Sequence, residues 1–161
     1  MSEALLLLGG NRGEVEQTFE QAIALLEERV GVVLAKSRKH WTEPWGFTDE
    51  QLFLNQALLV RTELEPAVLM HTCLHIERSL GRERHTPSDG PRVYGPRSID
   101  IDVLLIGERV VQEPGLEVPH PRLHERAFAL APTADVVPQW IHPVLGLSVL
   151  SLLHDVQQRD R

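Results

Sequence analysis

Two aspartates inside an apolar run constrain this chain more than any other feature. Asp100-Ile101-Asp102-Val103-Leu104-Leu105-Ile106 follows a turn-forming Gly95-Pro96 and an arginine, Arg97. Successive side chains of a strand point to opposite faces. Asp100, Asp102 and Leu104 are therefore expected on one face and Ile101, Val103 and Leu105 on the other. Two residues of rise separate the acids by ~7 Å at Cα, so their carboxylates can converge on hard cations. An acid pair in so apolar a strand is costly unless positive charge stands beside it. A metal bound together with a phosphate-bearing substrate would supply that charge. The plainer reading is an edge strand with two solvated acids.

The distribution of arginines bears on that choice. The formal net charge is −7, which disfavours a general nucleic-acid binder. Yet eight of the 16 basic residues are arginines between Arg78 and Arg126, with Arg78, Arg82, Arg84, Arg92 and Arg97 close together. An acidic chain with one arginine-dense quarter suggests a local anion site, since the planar guanidinium suits phosphate. Arg82 to Tyr94 is polar, interrupted by proline and glycine, and without periodicity. Such a stretch reads as a lid over phosphate or as a solvated basic loop.

Elsewhere the pattern is that of one domain over residues 1–161. Ala4 to Leu8 reads as a short buried strand ended by Gly9-Gly10-Asn11, too short for a signal peptide or a membrane span. The glycine cluster through Gly13 lacks the residues of a P-loop and is taken as a turn. Val15, Phe19, Ala22, Ile23, Leu26 and Val30 recur at helical spacing up to Gly31. Val32 to Trp41 reads as a strand, and Thr42 to Gln51 as a loop carrying Trp45 and Phe47. Those aromatics either cap the core or meet a planar ligand.

Phe53 to Thr62 is expected as a strand with Phe53, Asn55, Ala57 and Leu59 on one face. Asn55 is the misfit there, because a buried amide needs partners. A second helix runs from Glu65-Pro66 to a stop at Gly81, with Leu69, Cys73, Ile76 and Leu80 as its stripe and Glu77 at its border. His71 and His75 have a zinc-compatible spacing without a third ligand, so they are read as surface histidines. A short strand is expected at Arg109 to Val111, and a final helix near Leu147 to His154. His120 is presented between two prolines, with Arg126 close in sequence. The order strand, helix, strand, strand, helix, strand implies an α+β fold. It is that of a ferredoxin-like βαββαβ sandwich with a mainly antiparallel sheet and extra carboxy-terminal elements. The single cysteine, Cys73, excludes an intrachain disulfide, and a cytoplasmic location is the default.

Six segments in this order resemble the 6-hydroxymethyl-7,8-dihydropterin pyrophosphokinase family. They are Leu8 to Gly13, Thr42 to Gly46, Phe53 to Asn55, Ile76-Glu77 with Gly81-Arg82, Gly95 to Asp102, and Val118 to Arg122 with Arg126 to Phe128. The resemblance implies transfer of the diphosphate of ATP, as co-substrate, to the hydroxymethyl group of the dihydropterin, with release of AMP. It implies two Mg2+ ions held by Asp100 and Asp102, and catalytic arginines at Arg82 and Arg97. Glu77, Arg84, Tyr94, His120 and Arg126 correspond to the ATP region. Thr42, Glu43, Trp45, Phe53, Asn55 and Phe128 correspond to the pterin site. Tyr94 replaces the family's usual tryptophan, and the loop before it is lengthened. Of two Gly-Pro-Arg triplets, the one ending at Arg97 keeps the spacing to Asp100, which leaves Arg92 as an extra arginine.

The expected partners are these two small molecules, with no nucleic acid and no membrane, and the expected state is a monomer. The alternatives are a non-catalytic ferredoxin-like module that senses a ligand or binds RNA, and a kinase moving a single phosphoryl group.

Overall fold

The computed structural model describes residues 1–43, 52–82 and 99–160, with Arg82 by its backbone only. Strand β1 (Ser2–Gly10) is flanked on both sides, by β4 (Phe53–Thr62) and by β5 (Asp100–Ile106), each antiparallel to it. Beyond β4 lie β2 (Gly31–Lys36) and β3 (His40–Thr42), which pair with different halves of that one long strand. The sheet order is β2-β4-β1-β5, with β3 beside β4 off that path. This is the expected antiparallel, ferredoxin-like arrangement.

Helix α1 (Val15–Arg29) and helix α2 (Pro66–Arg82) cover one face. Phe19, Ala22 and Leu26 of α1 and Leu69, Cys73 and Ile76 of α2 pack with Leu6, Leu8, Leu58, Ile101 and Val103 of the strands. A hairpin of β6 (Val111–Glu113) and β7 (Leu116–Val118) follows β5. It leads through a 3-10 turn at Leu123–Glu125 to α3 (Ala127–Val136) and α4 (Val149–Arg159). These last helices cover part of the opposite face, over Leu5, Leu7, Ala57, Leu104 and Leu105. Fully burying each such leucine contributes about 1.5–3 kcal/mol, so both faces act as cores.

Several local expectations are corrected. Leu105 lies with Leu104 in the second core, not with Ile101 and Val103 in the first. The cause is a bulge: Leu5 pairs with Leu105 and its neighbour Leu6 with Val103, which leaves Leu104 as the extra residue. The strand expected over Val32 to Trp41 is broken for a similar reason. Lys36 faces Leu58 and His40 faces Asn55, so four steps on one side oppose three on the other. Ser37 holds the break against β4, donating its N–H to Ala57 O and accepting Ala57 N–H on Oγ. The stop at Gly81 does not hold, because α2 continues through it to Arg82. The strand after β5 starts at Val111, beyond a turn at Gly107 with φ +51.

His142, only 5% exposed, ties the segment before α4 together. Its Nδ1 accepts the N–H groups of Val144 and Leu145 at 3.2 and 3.1 Å. Burial first, then the nearby His124, pushes its pKa below the ordinary value. The unfolded chain therefore binds the proton more tightly, so stability is full above the ordinary histidine range and falls as pH drops through it. We expect the melting temperature of the wild type to fall more between pH 7.5 and 5.5 than that of His142→Asn. The asparagine Oδ1 keeps an acceptor that does not titrate.

Candidate active site

Antiparallel pairing places residues that face one another across strands on the same side of the sheet. One row runs His40–Asn55–Gly9–Asp100 across β3, β4, β1 and β5, and the next runs Ala57–Leu7–Asp102. Leu7 and Ala57 belong to the core beneath α3 and α4, so both acids and Asn55 lie on that side. With strands spaced ~4.8 Å apart, Asn55 and Asp100 are ~10 Å apart at Cα. The shared face expected for Asp100, Asp102 and Leu104 is observed. Asp100 is exposed and Asp102 half-buried.

Gly9 between them has a steric reason to be glycine. A Cβ there would stand 2.9 Å from Asn55 Nδ2 and 3.2 Å from Phe53 Cε1. The missing side chain thus leaves room for Phe53 and Asn55 to lie over β1. Asn55 is 2% exposed, and its Nδ2 donates to Leu8 O at 3.4 Å. Its Oδ1 is buried without a hydrogen-bond partner among the described residues. An orphaned buried acceptor costs about 1–3 kcal/mol, so a ligand that donates to it recovers that cost on binding. Thr42 faces Phe53 across β3 and β4, and Glu43 follows it; both are exposed.

Beneath the acids, Glu77 of α2 is buried at 4% exposure. Its Oε1 accepts the N–H of Ile101 at 2.5 Å, on the edge of β5 away from β1 and at the residue between Asp100 and Asp102. The carboxylate thereby satisfies an edge donor and fixes the strand that carries both acids. Burial, followed by the charges of Glu77 and Asp102, pushes the Cys73 thiol up to about 12, which makes it unreactive packing.

The same strand edge receives His120, whose N–H donates to Leu104 O at 2.9 Å. Pro119 before it is joined to Val118 by a cis bond. Burial lowers the His120 pKa, helped by Arg126 and Arg122 and opposed by the charges of Asp102 and Glu117. Nδ1 accepts the Arg122 N–H at 3.2 Å, so the neutral ring carries its proton on Nε2. The Arg126 guanidinium carbon stands 5.5 Å from the centroid of the Phe128 ring, within cation–π reach. Phe128, in the first turn of α3, is 40% exposed.

The described residues thus place Asn55, Phe53, Thr42, Asp100 and Asp102 on one side of the sheet. His120 and Arg126 are within electrostatic reach of each other, and Asp102 acts on His120. Trp45, Arg84, Tyr94 and Arg97 lie outside the described residues, as does the side chain of Arg82. His71 and His75 form no metal cluster: no group of three or more metal-ligating side chains occurs among the described residues. Two carboxylates suit Mg2+, which is held by one or two carboxylates and otherwise by water and substrate phosphates. Gly9 as the floor of the site was not anticipated, although a glycine opposite a buried asparagine is a signal of close approach. Asp135, described below, carried no signal at all.

Residues 5–138 match the family model of the 7,8-dihydro-6-hydroxymethylpterin-pyrophosphokinases (HPPK). The chain is 42% identical over 144 residues to a 2-amino-4-hydroxy-6-hydroxymethyldihydropteridine pyrophosphokinase of Porphyromonas gingivalis, covering 89% of this chain and 95% of that one. A Bacillus subtilis protein of the same name is 39% identical over 84% of this chain and 78% of its own length. Among solved structures, a Plasmodium falciparum HPPK-DHPS with pteroate superposes with a TM-score of 0.77 at 16% identity. That match covers 98% of this chain but 45% of the solved one, and it speaks for the fold alone.

Proposed function

The chain belongs to the 7,8-dihydro-6-hydroxymethylpterin-pyrophosphokinase family, and from that premise we propose how its own residues carry the reaction. It is an ATP-dependent pyrophosphokinase of folate biosynthesis. The diphosphate of ATP passes to the hydroxymethyl group of 6-hydroxymethyl-7,8-dihydropterin, and AMP is released. A non-catalytic sensing module is not favoured.

The observation that carries the assignment of residues is the row Asn55–Gly9–Asp100. It sets an amide with an orphaned acceptor ~10 Å from an acid pair, about the span between a bound heterocycle and a phosphate at its side chain. Asn55 reads the amide edge of the pterin through Oδ1, which accepts a ring N–H. Phe53 and Phe128 enclose the ring plane, and Thr42, Glu43 and Trp45 close that end.

Asp100 and Asp102 would hold two Mg2+ ions with the nucleotide. Bound there, magnesium supplies positive charge to the phosphate oxygens. His120, through Nε2–H, and Arg126, with Arg84 and Tyr94, fix the phosphates and nucleoside. Glu77 acts on this region through β5. The substrate hydroxyl oxygen attacks the β-phosphorus and releases its proton to solvent, and the bond to the oxygen bridging the α-phosphate breaks, so that oxygen leaves with AMP. Arg82 and Arg97 stabilise the charge that develops on the transferring diphosphate.

The protein acts as a single monomeric domain in the cytoplasm, with no nucleic-acid or membrane partner. No helix among the described residues is long and apolar enough to cross a membrane. Incubating the protein with ATP, Mg2+ and the dihydropterin tests the reading. We expect one AMP for each pterin diphosphate formed; ADP as the nucleotide product, or no turnover, would contradict it.

A further inference from the structure

The one-residue excess between β2 and β3 leaves the N–H of Arg38, an exposed residue, outside the ladder with β4. Asp135 meets it. Its Oδ2 accepts the Arg38 N–H and Nε at 3.3 Å each, and its Oδ1 accepts Arg38 Nη2 at 3.2 Å. The same Oδ2 lies 2.7 Å from His40 Nε2. One carboxylate, its side chain 19% exposed, thus gathers both ends of the bulge from 95 and 97 residues away. Partial burial works against its charge, but the hydrogen bonds from Arg38 and His40 outweigh it and hold the Asp135 pKa below the ordinary value.

What this carboxylate joins matters more than how tightly it binds. Asp135 stands seven residues after Phe128 on α3, two turns along the same helix face and ~10 Å along its axis. His40 stands two residues before Thr42 and faces Asn55 across the strands. The carboxylate therefore ties the helix carrying one wall of the proposed pterin pocket to the strand carrying another. β3 itself is three residues long and, among the described residues, pairs with β4 alone.

We propose that Asp135 is a positioning residue for the pterin pocket, fixing β3 against α3 so that Thr42 and Glu43 stay in register with Phe128. This rests on the pterin site proposed above. It goes beyond that site in assigning part of its affinity to an ion-paired cluster that touches no substrate.

The test uses the intact chain and steady-state kinetics with both substrates. Production of AMP by the wild type first secures the reading of the site, and its absence would sink that reading rather than this one. With activity in hand, Asp135→Asn should raise KM for the dihydropterin about tenfold while kcat and KM for ATP stay within twofold. His40→Gln, whose side-chain nitrogen replaces Nε2 as a donor to Asp135, should stay near the wild type. His40→Phe should behave like Asp135→Asn, and the double variant should be no worse than the poorer single one. Melting curves confirm folding; if Asp135→Asn does not fold, the two His40 variants decide. An unchanged pterin KM, a parallel rise in KM for ATP, or equal effects of His40→Gln and His40→Phe would overturn the proposal.

Discussion

Asp102→Ala should lower kcat/KM by about 10³-fold or more, a loss of about 4 kcal/mol of transition-state stabilisation, while the affinity for dihydropterin stays within threefold. The size of the effect follows from position. Asp102 is half-buried beside Leu7, and it is one of the two carboxylates proposed to hold magnesium; its charge also raises the His120 pKa. Without that negative charge, the forces lowering the His120 pKa go unopposed by Asp102, and the ring stays neutral; the activity loss is therefore not a protonation effect. The fold should tolerate the change, because among the described residues the Asp102 carboxylate makes no hydrogen bond that the strand depends on, whereas Glu77 holds the same strand from below. Stopped-time assays of AMP formation together with a pterin titration check both halves of the prediction. A fall in pterin affinity equal to the fall in turnover would show that the acids belong to the pterin subsite.

Asn55→Leu should separate stability from binding in the opposite way. The buried Oδ1 has no partner among the described residues, and Nδ2 has only a long bond to Leu8 O, 3.4 Å. Leucine has nearly the same shape and no orphaned acceptor, so the free protein should keep its melting temperature or gain about 1 kcal/mol of stability. Binding of dihydropterin should fall more than 100-fold, because the ring's amide edge would face an apolar group. A large loss of stability with unchanged pterin binding would place Asn55 among the structural amides instead.

The two faces of β5 were legible because strand alternation is a strong local rule, and Asp100, Asp102 and Leu104 obey it. Leu105 departs from it because the bulge arises from pairing with β1, a partner almost a hundred residues away. β4 was legible end to end, since both its neighbours keep it extended. β3 was not separated from β2, because the extra residue that splits them is counted against β4 and shows in neither segment alone. Helix α3 escaped notice for another reason. Ala127 to Val136 carries Pro132 inside it and has only Thr133 and Asp135 as polar side chains, so no amphipathic stripe marks it as a helix.

Of the proposed site, the acids, Asn55, Phe53, His120 and Arg126 were singled out by residue type, order and resemblance. Their common support was not. Glu77 was named from the sequence, but its bond to the Ile101 N–H shows only once α2 lies across β5, and Asp135 only once α3 lies across β3, contacts that no sequence spacing encodes. Thr42 and Glu43 are described, whereas Trp45 lies outside the described residues.

The central claim is that one side of the sheet carries two adjoining subsites, a magnesium–nucleotide site at Asp100 and Asp102 and a pterin site at Asn55. Calorimetric titration of wild type, Asp102→Ala and Asn55→Leu tests it, each with an ATP analogue whose α,β-bridging oxygen is a methylene, with and without Mg2+, and separately with dihydropterin. Asp102→Ala should lose the magnesium-dependent part of nucleotide binding and keep pterin binding, while Asn55→Leu should do the reverse. Nucleotide binding that is equally strong and equally magnesium-dependent in wild type and Asp102→Ala would contradict the claim.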